Sequence, residues 1–141
     1  MFNVYKNATL TFRSTGTNEA PKLTIDGKRD KVTATSGHWS AIIMQEACKG
    51  VNIYEGVAFV NHISYKAGSV VRMNANVGPL TIDGGVFSNN TAPEQDAGVF
   101  RINTTTSRNM IKNAVFSGNT SASGGVMSIE NNAEVTIEGC K

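Results

Sequence analysis

Val86-Phe87-Ser88-Asn89-Asn90-Thr91 recurs as Val115-Phe116-Ser117-Gly118-Asn119-Thr120, 29 residues later. A chain that repeats itself at a fixed period builds one supersecondary unit many times and buries its apolar face by stacking the copies. Each copy is followed by a small-residue step and another apolar segment, Ala97-Gly98-Val99-Phe100-Arg101-Ile102 and Gly124-Gly125-Val126-Met127-Ser128-Ile129. Ala67-Gly68-Ser69-Val70-Val71 and Gly37-His38-Trp39-Ser40-Ala41-Ile42-Ile43 fill the same slot upstream. The two ends also match without gaps: residues 4–12 and 129–137 both read apolar, three polar residues, Ala, polar, apolar, Thr, apolar. The equivalent apolar positions are then Phe12, Ile53, Ile82, Ile111 and Ile137, at spacings of 41, 29, 29 and 26. The long first interval is accounted for by a polar loop, Arg13 to Pro21, after which Ile25 takes the place of the repeat phenylalanine.

Each unit holds three short apolar alternations, as in Leu80-Thr81-Ile82, Val86-Phe87 and Val99-Phe100-Arg101-Ile102, separated by Gly, Asn or Asp turns. Period-two alternation turns one face of each strand inward. Turns this short leave no room for helices, so three strands in about 29 residues describe one coil of a three-sided solenoid. Hairpins of a β-sandwich would need longer strands around Asp26-Gly27 and Asp83-Gly84, and a leucine-rich repeat would have a shorter period and fixed Leu and Asn steps. The expected fold is all-β, a right-handed parallel β-helix of about four to five coils of three short strands, forming a single domain over residues 1–141. Coils pair at about 4.8 Å, so equivalent residues stack in ladders. Phe59, Phe87 and Phe116 should form one inward ladder. Asn90 and Asn119 should sit at turns, with their amides bonding turn backbone or each other. His62 takes that place one coil earlier, and Trp39 is expected to pack at a strand start.

Composition agrees. Charged residues are only 17% of the chain and Gly numbers 14 against 3 Pro, a bias toward strands and tight turns. The net charge of +2 is scattered, without the basic stripe of a nucleic-acid partner. No apolar run approaches the roughly 20 residues of a membrane span, so neither nucleic acid binding nor direct membrane insertion is expected. Met1 to Lys6 lack the basic and apolar segments of a secretory signal; if the protein is secreted, that signal is expected elsewhere. Cys48 and Cys140 fall three rungs apart, about 14 Å, beyond the roughly 7 Å that a disulfide spans. Both are expected to remain thiols serving as small apolar fillers.

Phe-x-x-Asn at Phe87…Asn90 and Phe116…Asn119, alternating with Gly124-Gly125-Val126-Met127, resembles the repeat of chlamydial polymorphic outer-membrane proteins. Leu23 to Gly27 with Val32 to Thr35, and Val51 to Val57, are similar to repeats in very large surface proteins of gut Firmicutes, of the pectin-lyase-like β-helix superfamily. The chain departs from these patterns in keeping the double glycine only at 124–125 and in carrying His62 for Asn. The resemblance implies a cell-surface or secreted setting and an adhesive or stalk-like role, with glycans or surface proteins of a host or the environment as partners. Because solenoids host adhesins, lyases and tailspikes alike, function must be argued from residues.

Polysaccharide lyases and hydrolases of this superfamily use clustered carboxylates, and glycoside hydrolysis needs two of them about 5–9.5 Å apart. Asp26, Glu55, Asp83 and Glu138 each follow a strand isoleucine, and Asp83 and Glu138 share an Ile-acid-Gly turn with Lys112-Asn113 between them. A solvated turn ladder interrupted by an amide accounts for them better than a catalytic pair. Arg101-Ile102-Asn103 is similar to the Arg-Ile-Lys of polygalacturonases but lacks companion aspartate pairs. His38 and His62 have no Cys or acidic cluster at metal spacing and are expected to be surface turn residues. Asn-x-Ser/Thr triplets at Asn7, Asn89, Asn103 and Asn119 are expected by chance in so Asn- and Thr-rich a chain. No catalytic, cofactor-binding or metal-binding residue is therefore assigned, and no cofactor is expected. The expectation is a non-enzymatic structural or adhesive repeat module, with a polysaccharide-binding or polysaccharide-degrading β-helix as the alternative. Lys141 falls in mid-repeat, so the chain is expected either to continue in a longer protein or to associate end to end.

Overall fold

The computed structural model describes every residue except 34, 38, 39, 105–107 and 124. Trp39, His38 and Gly124 thus lie outside the described residues. The first turn comprises β1 (Phe2–Val4), β2 (Thr9–Phe12) and β3 (Leu23–Asp26), followed by a short 3-10 helix, Arg29–Lys31. The second comprises β4 (Ile42–Met44), β5 (Gly50–Tyr54) and β6 (Val57–Val60). The third has β7 (Val71–Met73), β8 (Leu80–Asp83), β9 (Val86–Ser88) and the two-residue β10 (Thr91–Ala92). The fourth has β11 (Phe100–Asn103), β12 (Arg108–Lys112), β13 (Val115–Ser117) and β14 (Thr120–Ser121). β15 (Met127–Glu130) and β16 (Glu134–Glu138) begin a fifth.

Like strands stack on like. One face is β1-β4-β7-β11-β15, the second β2-β5-β8-β12-β16, the third β3-β6-β9-β13, with β10-β14 beside it. Every pairing is parallel. The fold is a parallel β-helix. About three turns are regular, somewhat fewer than the four to five coils expected. The first turn is opened by the 13–22 segment, and the fifth has strands on two faces only.

The registers are those of the repeat. Phe12 pairs with Ile53, Ile53 with Ile82, Ile82 with Ile111 and Ile111 with Ile137. Ile25 pairs with Phe59, Phe59 with Phe87, and Phe87 with Phe116. Alternation buries Val51, Ile53, Leu80, Ile82, Phe100, Ile102 and Ile111 completely. All six phenylalanines join one spine of ring contacts. Phe59 and Phe87 lie parallel at 5.9 Å and Phe87 and Phe116 at 5.4 Å, while Phe12 meets Phe59 edge-on at 5.3 Å. Offset-stacked and T-shaped pairs at such distances add to the burial of their apolar area.

The Phe-x-x-Asn motif has a mechanical reading. The residue after the Phe points outward, the next turns the chain through the left-handed region (Asn89 at φ 54°, Gly118 at φ 61°), and the Asn then faces inward. Short polar side chains tolerate that conformation better than others, and among the described residues seven of the nine non-glycine positions with positive φ are Asn. The inward amide ties adjacent turns together. Asn90 Oδ1 accepts the His62 backbone N–H at 3.0 Å, and its Nδ2 donates to the Phe59 carbonyl at 3.1 Å. Asn119 repeats this one turn on, accepting from Asn90 N at 3.0 Å and donating to Phe87 O at 2.8 Å.

His62 departs from expectation: it is buried, not a surface turn residue. It occupies the Asn rung, and its Nε2 lies 3.1 Å from the Ile25 carbonyl. A carbonyl only accepts, so Nε2 carries the proton and plays the part of the amide N–H. Burial pulls its pKa below the ordinary value, against the opposing pull of the Ile25 carbonyl and Asp26. Cys48 is buried in the core as a free thiol, its pKa pushed up by that burial, and Cys140 is a half-buried free thiol.

Candidate functional site

Register places outward residues of neighbouring turns side by side. Arg13 follows Phe12 and Tyr54 follows Ile53, so the two stand together at one corner of the helix. The Arg13 guanidinium carbon lies 4.5 Å from the Tyr54 ring centroid, in cation–π range. One rung further Asp83 pairs with Tyr54 in the ladder, and Glu55 lies against Gly84.

The 13–22 segment closes this corner. It leaves β2 in the first turn and lies along the stack as a strap. Gly16 packs on Gly56 of the second turn, whose φ is 77° and where a Cβ would collide with the Gly16 carbonyl oxygen. Lys22 N–H donates to Gly56 O at 3.1 Å. Asn18 reaches further, accepting from Gly85 N at 2.7 Å in the third turn and donating to Asn113 O at 2.9 Å in the fourth. The Glu19 carboxyl is held below its ordinary pKa by backbone and Thr17 hydrogen bonds and by the Lys141 cation. Strap and corner enclose a shallow cleft of about 410 Å³ lined by Arg13, Ser14, Gly16, Tyr54, Glu55 and Asp83.

Of the four carboxylates singled out by sequence, the structure brings Glu55 and Asp83 to this cleft. Glu138 stands in the same column as Asp83, but Lys112 lies between them and pairs with Glu138 at 2.8 Å. Hydrogen bonding and charge from Glu138 raise the Lys112 pKa, with a further contribution from Asp83. Asp83 accepts the Asn113 amide at 2.8 Å. The ladder of turn carboxylates is thus interrupted by a cation as well as an amide. Asp26 stands on the third face, bridged to Lys28 at 2.9 Å. Hydrogen bonds from Lys28 and Asn61 draw its pKa down to about 2, which fixes it as an ionised turn residue. Arg101 lies on the first face and is clamped by Glu130 through Nε at 2.9 Å and Nη2 at 2.7 Å. Of the four Asn-x-Ser/Thr sites, Asn119 commits its amide nitrogen to Phe87 O.

Arg13, Ser14 and Tyr54 are functional candidates that sequence reading passed over. The signal was present in the 41-residue spacing from Phe12 to Ile53, which puts Arg13 and Tyr54 in one column. The cleft offers an aromatic ring, a cation, a hydroxyl and two carboxylate acceptors, the mixture that engages a polyhydroxylated ligand through CH contacts to a ring face and hydrogen bonds at its edge. Among the described residues no three His, Cys, Asp or Glu side chains gather at metal-binding distance, and no helix is long and apolar enough to cross a membrane. No family model, curated protein or solved structure matches the chain.

Proposed function

We propose that the chain is a non-enzymatic structural and adhesive repeat module of a bacterial cell-surface or secreted protein, of the kind built on pectin-lyase-like and polymorphic outer-membrane-protein repeats. The observation that carries this reading is where the polar side chains go. The inward Asn and His residues tie turn to turn, and the outward charges pair along the ladders, Arg101 with Glu130, Arg108 with Glu134, Lys112 with Glu138. Such a molecule spends its chemistry on holding a rod-like shape, and its partners are glycans or proteins met at the surface.

The cleft supports a second reading, a polysaccharide-binding or polysaccharide-degrading β-helix. A glycan array combined with a uronate-release assay separates the two. Binding without turnover, weakened by Tyr54→Ala, is the result expected of an adhesive module. Product release that disappears in Asp83→Asn would overturn the non-enzymatic reading.

A further inference from the structure

The corner that carries the chain from the third face back to the first is built differently in the first turn. Later turns make it with residues 61–70, 89–99 and 118–126, which are 10, 11 and 9 residues long, whereas the first turn uses 15, residues 27–41. In the later turns this corner packs against its neighbours. Thr91 and Ala92 are buried, β10 pairs with β14, and Ile63 bridges to Thr91. The first turn instead swings outward at Gly27 into the 3-10 helix Arg29–Lys31, which buries none of its residues. Among the described residues no segment pairs with the other edge of Ile63. The slot that the detour leaves is a cavity of about 260 Å³. Phe2, Ile25, Val32 and Ile63 form apolar walls, and Asp26, Ser40 and His62 bring polar atoms to it.

Two of those polar groups are buried and incompletely used. Ser40 is fully buried, and among the described residues its Oγ is the buried side-chain polar atom without a hydrogen-bond partner. Its equivalent one turn on, Ser69, donates to the Gly98 carbonyl. Buried hydroxyls are ordinarily paired, because an unmet one has given up its bonds to water for nothing. His62 directs its Nε2 proton at the Ile25 carbonyl, which leaves Nδ1 as an acceptor. Nδ1 faces Gly27, where a Cβ would come within 2.6 Å of it, so the glycine keeps that side of the ring open. Asp26 is bridged to Lys28 at 2.9 Å, so its charge is already met.

We propose that this cavity binds a small neutral molecule of one apolar ring and one hydroxyl, for which phenol is the simplest representative. The ring lies against Phe2, Ile25, Val32 and Ile63, and the hydroxyl accepts from Ser40 Oγ and donates to His62 Nδ1. Volume sets the size. An apolar cavity of about 150 Å³ takes benzene, and pockets for drug-sized ligands begin at about 300 Å³, so one substituted ring fits. An anion would find no unpaired cation here, and a sugar would leave most of its hydroxyls unmet on the apolar walls. The cavity stands at a different corner from the Tyr54 cleft and is independent of what that cleft binds.

The test is a titration of the 141-residue chain with phenol and with toluene, its isostere without the hydroxyl, followed by NMR. Phenol should give saturable amide shifts at residues 25–27, 40–41 and 62–63, and should move the His62 Nδ1 resonance as that nitrogen accepts a hydrogen bond. Toluene should bind the same residues about tenfold more weakly, the worth of one net hydrogen bond, and leave Nδ1 unmoved. Ser40→Ala removes an unpaired hydroxyl and should keep the parent circular dichroism spectrum. It should weaken phenol by about tenfold and leave toluene unchanged. Val32→Phe, which adds a ring to the cavity wall, should abolish both. Phenol that shifts none of these residues, phenol that binds no better than toluene, or Ser40→Ala that binds phenol as the parent does would each overturn the proposal. Shifts centred on Tyr54 and Glu55 would also overturn it, since they would place the ligand in the cleft.

Discussion

At the scale of single residues, stability depends on inward positions where one side chain serves two turns. Phe87 is fully buried between Phe59 and Phe116 and touches Phe100 edge-on at 4.9 Å. Truncation leaves a void that flanking rungs held by their own hydrogen bonds cannot collapse to fill. Phe87→Ala should therefore cost about 3–5 kcal/mol, measured by chemical denaturation. His62 gives the fold a pH dependence. Its folded pKa lies below the unfolded value of 6.5 because burial disfavours the cation. Above that value both states are neutral and the full stability is present. As pH falls through 6.5 toward the folded pKa, the unfolded chain binds the proton first and stability is lost. His62→Asn restores the repeat amide, so it should fold and lose this component of the acid-side slope in denaturation curves taken at a series of pH values. The inward phenylalanines and asparagines were legible in the sequence because they recur at one offset. The burial of His62 was not inferred, although its place in the column was plain, because histidine is only intermediate in its tendency to be buried and the Ile25 carbonyl opposite its ring, which explains why it can enter, is not visible in the repeat.

At the scale of elements, the strands differ little, and the strap makes this molecule more than a plain repeat. Residues 13–22 bond or pack against the second, third and fourth turns through Gly56, Gly85 and Asn113. Gly85 is buried and the strap satisfies its N–H through Asn18. Asn18→Ala leaves that donor without its acceptor, at a cost of about 1–3 kcal/mol, and should speed hydrogen exchange at the Gly85 amide above all others nearby. Gly56→Ala should be more severe, because the new Cβ meets the Gly16 backbone and the residue must also hold a positive φ. Sequence periodicity identifies such a segment only as an interruption. It carries no repeat to be compared with, and its contacts lie up to 95 residues away in sequence. That is why the cleft, half built by the strap, was only partly visible. Glu55 and Asp83 were legible from their place after the strand isoleucines, whereas Arg13 and Tyr54 met only once the strand register was known.

At the scale of the whole molecule, the account rests on one geometric statement: residues about 29 apart are neighbours at a rung spacing. The aromatic spine, the Asn ladder, the charge pairs along the faces and the matching end rungs all follow from it. Ser88 and Ser117 test it, since they are register partners on adjacent strands with outward side chains. Parallel neighbours at about 4.8 Å lie within the Cα separation a disulfide tolerates, about 4.4–6.8 Å. In a background with Cys48→Ala and Cys140→Ser, the Ser88→Cys/Ser117→Cys pair should form an intramolecular disulfide on mild oxidation, read by mass spectrometry. Ser88→Cys with Ser121→Cys, off the register, should stay reduced. A Ser88–Ser117 pair that remains reduced in folded protein, or cross-links no faster than the off-register pair, would contradict the β-helix.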